Sequence, residues 1–417
     1  MTKFNIVIPT RERADTLYWS LKSCVSQKYE NLTIWVSDNC SLDNTEEVVK
    51  SFSDKRIRYL KTPERVSMSA NWEFALGFIE EGFVTYIGDD DAMLPDAFEF
   101  AAKLLKENKV DALSFGSATY YWPDVGAKSL QGQLTIPRGN SYSVRNSRED
   151  LRKTTQDIFS SIELPGLYWG AVDIRVLKHI QSRHAGFFHS LAPDFYSAVI
   201  IASYIESHLY CERPIILRGF SRHSNGVSYV NSEFDQAPAQ LFMKEKNMPV
   251  NEQLVFAPSL SIILADCILQ ASKVNPEIPK LNIYTVVEKA AHDAVCASSK
   301  YKFDEIVEAI KAIGEKNGIR SYCNRMLKGL TYPEKSGGQT AEINTDNSVF
   351  NIKTIELAEL LGLKISNVFE ASLFASQFLM PFAVNKADNV LSARELVNNK
   401  VDGWIRNVKS KVIKLTH

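Results

Sequence analysis

The first hundred residues repeat one pattern, in which a short, mostly apolar run ends in polar residues and precedes a stretch with helical spacing. Apolar runs of this length are typical of strands that are buried on both faces of a parallel sheet. Strands that alternate with helices predict a doubly wound α/β sheet. The runs are 4–8 (FNIVI), 32–36 (LTIWV), 57–60 (IRYL) and 83–87 (FVTYI).

Three consecutive carboxylates, Asp89, Asp90 and Asp91, follow the fourth run. Adjacent acids repel one another, so at least one would have a raised pKa without a counter-ion. Mg²⁺ or Mn²⁺ would remove that penalty, because hard cations prefer oxygen ligands. The alternative is a solvated acidic turn in which Asp91 caps the next helix. Polar residues at other strand ends, Thr10 and Asp38, favour the ligand site, because ligands of such sheets bind at the carboxyl ends of the strands.

Length and composition set the broad class. A chain of 417 residues exceeds one ordinary core, so we expect two domains. A formal net charge of −1 gives no support to a nucleic-acid partner. The sequence has no cleavable signal pattern and no apolar run of the roughly 18–20 residues that span a bilayer. Six scattered cysteines fit reduced thiols, so the expected location is the cytoplasm.

Three segments together resemble a known family. They are IVIPTRERADTL, WVSDNCSLDNT and SMSANWEFALGFIEEGFVTYIGDDDAMLPDAF, and with their spacing they resemble the GT-A glycosyltransferases, in particular the inverting family 2. The resemblance covers residues 3–115 and continues more weakly to 230. It implies an α/β, Rossmann-like GT-A domain over residues 1–230 that takes a sugar from a nucleotide-diphosphate donor, above all a UDP-sugar. The implied acceptor is a hydroxyl of a glycan or lipid-linked molecule in bacterial surface polysaccharide synthesis.

The resemblance also implies roles on the donor side. Pro9, Thr10 and Arg11 correspond to the loop that lines the nucleotide base. Asp38 corresponds to the aspartate whose carboxylate accepts a base N–H, whereas the residue alone also suits an Asx turn. Arg65 falls where relatives place basic residues near the diphosphate, and a solvated arginine is the other interpretation.

The implied metal site carries a departure from the family pattern. Asp90 aligns with the ligand of Mn²⁺ or Mg²⁺, and Asp89 with a neighbour that faces the ribose or the metal. Asp91 corresponds to a residue that supports the ligand from behind, or to an alternative ligand. Gly88 stands where many relatives have aspartate, which leaves the register open by one residue. His223, in a later loop, is a further candidate ligand, although a lone loop histidine is more often a polar surface residue.

On the acceptor side the resemblance implies that Asp194 is the general base, because an inverting transfer needs one carboxylate to take the proton of the attacking hydroxyl. Pro193 replaces the first acid of the family's pair, and Asp194 would also suit a helix N-cap. The aromatic pair Tyr168 and Trp169 offers faces that stack on sugar rings, or is simply buried core.

Residues 231–417 predict a mostly α-helical C-terminal domain, without strand patterns and with a helix over 352–361. No motif of chemical meaning occurs there. The basic stretch 386–414 has two interpretations: docking on the inner face of a membrane, where a lipid-linked acceptor would lie, or a solvated face of a helical domain that caps the fold or forms a homo-oligomer.

Two rival functions remain open. A nucleotidyltransferase also combines such a sheet with a carboxylate-bound metal, but it needs a glycine-rich phosphate loop, and PTRERAD has no glycine. A non-catalytic sugar-nucleotide-binding scaffold on a GT-A fold would fit Gly88 and Pro193. The presence of Asp38, the DDD run and Asp194 argues against that loss of activity.

Overall fold

A computed structural model of the protein describes residues 1–158, 163–224, 249–297, 299–333, 349–354 and 365–379. The strands are β1 Phe4–Thr10, β2 Leu32–Asp38, β3 Ile57–Lys61, β4 Phe83–Tyr86, β5 Ala92–Met93, β6 Ala112–Phe115, β7 Ala118–Tyr121, β8 Gln133–Pro137, β9 Tyr142–Asn146, β10 Gly170–Asp173, β11 Ser207–Cys211, β12 Ile216–Phe220 and β13 Val349–Lys353. The helices are α1 Ala14–Val25, α2 Thr45–Lys50, α3 Met68–Leu76, α4 Ala97–Asn108, α5 Ser147–Gln156, α6 Ile174–Gln181, α7 Pro193–Tyr204, α8 Leu260–Val274, α9 Ile283–Val295, α10 Lys300–Lys316, α11 Arg320–Leu327 and α12 Val368–Ser376.

The larger sheet has the strand order β3-β2-β1-β4-β10-β6-β11-β9, and its first four strands are parallel. The predicted α/β domain is confirmed, but the sheet is mixed, because β10 and β9 run antiparallel to their neighbours. The cause is local for β10. The amide of Tyr86 at the end of β4 donates to the carbonyl of Leu167, so the turn before β10 lies at the carboxyl edge and the strand must run back from there.

A smaller sheet, in the order β13-β8-β7-β12-β5, lies beside the acidic segment. Its short strand β5 directly follows Asp91, and β12 pairs with both β5 and β7. The edge strand β13 comes from the C-terminal region and pairs with β8. The expectation that this region has no strands, with a helix from residue 352, is therefore wrong over 349–353. The alternating sequence VFNIK pairs with an open edge that only the folded chain presents.

The described C-terminal residues are mostly helical, as predicted, and they share one apolar core with the larger sheet. Val84 and Tyr86 of β4, Val199 of α7, Ile268 of α8 and Val287 of α9 belong to the same buried cluster. The predicted domain boundary at 230 falls outside the described residues and stays a prediction. Within the described part, no helix combines the length and apolarity needed to cross a membrane.

This shared core predicts that α8 and the sheet unfold together. Ile268 is fully buried, so Ile268→Ala should lower the free energy of unfolding by about 2–5 kcal/mol. Calorimetry should show a single transition that shifts as a whole. Leu260→Ala on the same helix, at a side chain that is 41% exposed, is the matched control and should change little. Two separate transitions, of which only one shifts, would contradict a common core.

A buried polar contact joins β11 to the start of α5. His208 Nδ1 lies 2.9 Å from Ser147 Oγ, and Nε2 lies 3.0 Å from the carbonyl oxygen of Glu163. A carbonyl only accepts, so Nε2 carries the proton and Nδ1 accepts from the serine hydroxyl. Burial lowers the pKa of His208 to about 4. The imidazole is therefore neutral in the folded protein at neutral pH.

This contact predicts a loss of stability in mild acid. The folded-state pKa lies below the ordinary value of about 6.5, so the unfolded chain binds the proton first. The stabilisation is complete above about pH 6.5 and falls by about 3 kcal/mol as the pH drops to about 4. Urea unfolding at pH 7 and pH 5 should show a smaller difference for His208→Gln than for the wild type, whereas the exposed-site control His179→Gln should keep the wild-type difference.

Candidate active site

The three consecutive carboxylates lie in the turn between β4 and β5, and all are buried. Asp89 is 2% exposed, Asp90 6% and Asp91 1%. This burial excludes the solvated turn, and each carboxylate must therefore find donors within the protein. The three side chains find them in different elements.

Asp89 is held by the last residue of β1 and by the loop that follows this strand. Thr10 Oγ1 donates to Asp89 Oδ2 at 2.8 Å, and Arg13 Nη1 lies 3.0 Å from Asp89 Oδ1. The pKa of Asp89 is raised by burial, with the Arg13 charge opposing that shift. Arg13 was not singled out from the sequence, although it lies within the PTRERAD segment; its partner is fixed only by the approach of β1 to β4.

Asp90 receives the loop that follows β12. Its Oδ2 accepts hydrogen bonds from Ser221 Oγ at 2.7 Å and Ser224 Oγ at 2.6 Å. Its Oδ1 is the one carboxylate oxygen of the acidic motif for which the described residues supply no hydrogen-bond donor. His223 in this loop was singled out from the sequence, but the two serine contacts could not be derived from sequence spacing.

Asp91 has both oxygens bound by the protein. Oδ2 accepts from the Gly88 amide at 2.8 Å and from the Tyr168 hydroxyl at 2.5 Å, and Oδ1 accepts from the Gly219 amide at 2.8 Å. Burial, followed by the charge of Asp90, raises the pKa of Asp91 to about 7. This carboxylate ties β4, β10 and β12 together.

The glycine that departs from the family pattern is explained by this packing. A Cβ on Gly88 would lie 3.0 Å from Asp90 Oδ1, 3.1 Å from Asp91 Oδ2 and 3.2 Å from the Tyr168 hydroxyl. An aspartate at this position would crowd the Tyr168–Asp91 hydrogen bond and add a fourth carboxylate. The sequence alone showed the departure without this reason.

Asp38 lies at the end of β2 and is fully buried. Its Oδ1 accepts from the amide of Ser41, three residues further along the chain, at 2.9 Å, and its Oδ2 accepts from the Tyr59 hydroxyl at 2.6 Å. Lys61 Nζ lies 3.7 Å from Oδ2. A nucleotide base that bound Asp38 would share a carboxylate oxygen with one of these donors. Such sharing is possible because each carboxylate oxygen can accept two hydrogen bonds.

The other donor-side candidates lie on the same edge of the sheet. Pro9 is partly exposed in β1, and Arg11 directly follows that strand and is also partly exposed. Arg65 is near the surface, where its Nη2 lies 2.8 Å from Glu12 Oε1. The structure therefore gives Arg65 a carboxylate partner of its own.

His223 lies close to the acidic motif through its backbone. Its amide donates to Ser221 Oγ, which in turn donates to Asp90, but its Nε2 lies 3.3 Å from Asp15 Oδ2 on α1. The hydrogen bond from His223 is the main cause that lowers the pKa of Asp15 to about 2. Within the described ranges, no group of three or more His, Cys, Asp or Glu side chains is arranged to hold a metal.

Asp194 lies in the first turn of α7, connected to the acidic motif by hydrogen bonds. Ser197 Oγ donates to the Asp194 carbonyl at 2.6 Å and accepts from the Leu167 amide at 3.2 Å. The next residue, Tyr168, donates to Asp91. Loss of hydration raises the pKa of Asp194. The segment 167–168 therefore holds the candidate base and the acidic motif in one network.

The aromatic pair has two different environments. Tyr168 is tied to Asp91 and packs against the main core with Trp72, at 6.2 Å between ring centroids. Trp169 adopts a φ of 61°, and the Arg218 guanidinium lies 3.9 Å from its ring centroid. Tyr168 therefore has a structural contact, and one face of Trp169 is covered by an arginine that sequence reasoning missed.

The comparison with known families decides the class of this domain. Residues 5–160 match the family model described as Glycosyl transferase family 2. They form a family 2 glycosyltransferase domain. The resemblance drawn from the sequence is therefore confirmed, and the acidic motif and the Asp38 turn both lie inside this glycosyltransferase domain.

Curated relatives of the domain carry glycosyltransferase names. Over 139 residues the chain is 25% identical to "UDP-Glc:alpha-D-GlcNAc-diphosphoundecaprenol beta-1,3-glucosyltransferase WfgD" of Escherichia coli, which covers 33% of this chain and 53% of that protein. Over 120 residues it is 32% identical to "GalNAc(5)-diNAcBac-PP-undecaprenol beta-1,3-glucosyltransferase" of Campylobacter jejuni, which covers 28% of this chain and 38% of the relative. The chain thus spans about half, or less, of the length of these relatives.

Among solved structures, the chain is similar to S. aureus TarS 1-349 in complex with UDP-GlcNAc. The similarity has a TM-score of 0.43 at 14% identity and covers 79% of this chain and 93% of that one. A mannosyltransferase from Pyrobaculum calidifontis, in complex with GDP-Man and Mn²⁺, gives a TM-score of 0.37 at 15% identity, covering 78% and 84%.

Proposed function

We propose that the chain is an inverting glycosyltransferase that moves a sugar from a UDP-sugar to a hydroxyl of a glycan or lipid-linked acceptor in bacterial surface polysaccharide synthesis. The observation that carries the proposal is the network in which the segment 167–168 holds both Asp91, the neighbour of Asp90, and the backbone of Asp194, whose pKa is raised. The glycosyltransferase domain supports the reaction class. The names of the relatives, which specify UDP-glucose and lipid diphosphate acceptors, support the substrate classes.

The donor would bind across the carboxyl edge of the larger sheet. We assign the nucleotide base to the Pro9–Arg11 loop and to Asp38, whose oxygens each have one protein donor and can accept another. Asp89, held by Thr10 and Arg13, faces this loop and suits the ribose side. Arg65 would reach the diphosphate only by leaving Glu12.

The acidic motif fits a divalent cation with one protein carboxylate as its main ligand. Mg²⁺ usually binds through one or two carboxylates and takes its remaining ligands from phosphates and water. We assign Mn²⁺ or Mg²⁺ to Asp90, whose Oδ1 has no donor among the described residues, with His223 as a second candidate. Asp91, which accepts three hydrogen bonds from the protein, would hold the turn that carries Asp90. A bound cation would neutralise the charge that develops on the departing nucleoside diphosphate.

Asp194 would act as the base. Its carboxylate takes the proton of the acceptor hydroxyl while that oxygen attacks the anomeric carbon from the side opposite the leaving diphosphate. The loss of hydration that raises the pKa of Asp194 also makes its carboxylate a stronger base.

Two further proposals concern the C-terminal region. The basic stretch 386–414, which lies outside the described residues, would contact the inner face of the membrane, where a lipid-linked acceptor is held. The helical region would form a homo-oligomer.

We expect binding of UDP to require Asp90. Calorimetric titration of UDP and GDP into the full chain with Mn²⁺, and then with EDTA, should show binding of UDP that EDTA abolishes. Asp90→Ala should also abolish it, because the available oxygen is lost. The matched control is Asp96→Asn, an exposed acid after the same motif whose left-handed backbone suits asparagine. Binding of UDP without metal would contradict the cation assignment, and no binding of either nucleotide would contradict the proposed donor class.

Asp194→Asn should separate chemistry from binding. With UDP-glucose and a GlcNAc-diphosphate lipid as probes, we expect transfer to fall by about 10²–10⁴-fold while affinity for UDP stays unchanged. In the wild type, kcat/KM should rise with pH through the raised pKa of Asp194, because only the carboxylate accepts the proton. The proton couplings of the product would report whether the anomeric configuration is inverted. An Asp194→Asn variant with wild-type transfer would exclude this residue as the base.

A further inference from the structure

Arg218 is a cation within the candidate site that has no protein partner for its charge among the described residues. It lies in β12, partly exposed, with its guanidinium 3.9 Å from the centroid of the Trp169 ring and 5.2 Å from that of Phe220. Within the same described part of the chain it makes no hydrogen bond and no ion pair. A guanidinium carries five N–H donors, so several donors in the site remain for a ligand.

Arg218 lies beside the residues to which the proposed function assigns the reaction. The next residue, Gly219, donates its amide to Asp91 of the acidic motif. The Arg218 charge also acts on the carboxyl of Asp194 and on the hydroxyl of Tyr168, where in each case it opposes the burial that raises the pKa. The guanidinium therefore lies close to both the candidate base and the acidic motif.

The Trp169 ring, on which Arg218 stacks, belongs to a residue with a strained backbone conformation. Trp169 has a φ of 61°, a conformation that a bulky residue rarely adopts. A Cβ on the next residue, Gly170, would lie 2.3 Å from the carbonyl oxygen of Gly166 and 2.6 Å from that of Leu113, so the turn is closely packed. Strained residues persist where the surroundings fix them, and they cluster at functional sites. The contact with the ring leaves the N–H groups of the guanidinium without a hydrogen-bond acceptor among the described residues.

We propose that Arg218, oriented by the Trp169 ring, binds phosphoryl oxygens of a substrate beside Asp194. A planar guanidinium matches two oxygens of a phosphate at once, and an arginine stacked on an aromatic ring keeps its N–H edge free. The phosphate has two sources, the diphosphate of the donor and the phosphate of a lipid-linked acceptor. This inference rests on the proposed function, and it adds a residue that neither the sequence motifs nor the family match assigns.

The test uses two probes on the full chain. UDP is titrated with Mn²⁺ into the wild type and into R218Q and R218K; inorganic pyrophosphate is then titrated into each protein saturated with UDP. We expect R218Q to weaken at least one probe by about ten- to a hundredfold, because charged hydrogen bonds are lost. R218K should weaken it less, since it keeps the charge without the planar fork. The matched control is R213Q, because Arg213 also stacks on an aromatic ring, at 4.7 Å from the Phe100 centroid, outside the site.

The pattern of losses identifies the source. Weaker UDP binding alone assigns the donor diphosphate, and weaker pyrophosphate binding alone assigns the acceptor phosphate. Unchanged binding of both probes in R218Q with a wild-type melting temperature would overturn the inference while leaving the proposed function intact. Failure of the wild type to bind UDP would overturn both. If R218Q does not fold, R218K decides, and wild-type affinity for both probes in that variant would refute a role for the planar fork.

Discussion

Burying three adjacent carboxylates is the constraint around which the first half of this protein is built. Like charges in a poorly hydrated turn are costly, and each must be offset by donors or cations. The chain provides them from distant segments: Arg13 after β1, Tyr168 before β10, and the loop that follows β12. The turn therefore depends on the correct approach of three elements, and those elements are in turn held in place by the carboxylates. Packing and charge compensation specify the same arrangement.

The three aspartates look equivalent in the sequence, but the protein donors around them give them different roles. Asp89 and Asp91 use their oxygens on protein donors, whereas Asp90 keeps one. The same close packing of carboxylates disfavours a fourth acid at position 88, because a Cβ in place of Gly88 would lie against Asp90 and Asp91. A run of aspartates therefore does not predict a set of equal ligands. We accordingly assign the cation to Asp90 and give Asp89 and Asp91 structural roles.

The features that could be predicted from the sequence are those whose pattern is complete within a few neighbouring residues. The strand at Phe4–Thr10 and the buried face of α1 were readable because an apolar run or a helical spacing is complete within a few residues. The reversed direction of β10 and the pairing of β13 with β8 depend on an edge formed by distant strands. The contact of Arg218 with Trp169 was missed for the same reason, because no residue near Arg218 in the sequence indicates that the two side chains meet. The candidate base was found through motif order, but its connection to Asp91 required the fold.

The helical region bears on the site through α7, the helix that carries Asp194. Val199, Ile200, Ile201 and Ala202 are consecutive and all fully buried, so this helix is apolar on every side and needs cover from more than the sheet. Helix α8 supplies that cover within a common core, and it also contacts the loop before Asp194, where Cys267 Sγ lies 3.1 Å from Ser190 Oγ. On the other side, Ser69 of α3 donates to the Ser190 carbonyl. The segment that positions the candidate base is thus held between the sheet-bearing half and the helices, so the helical region is part of the structure that fixes the site.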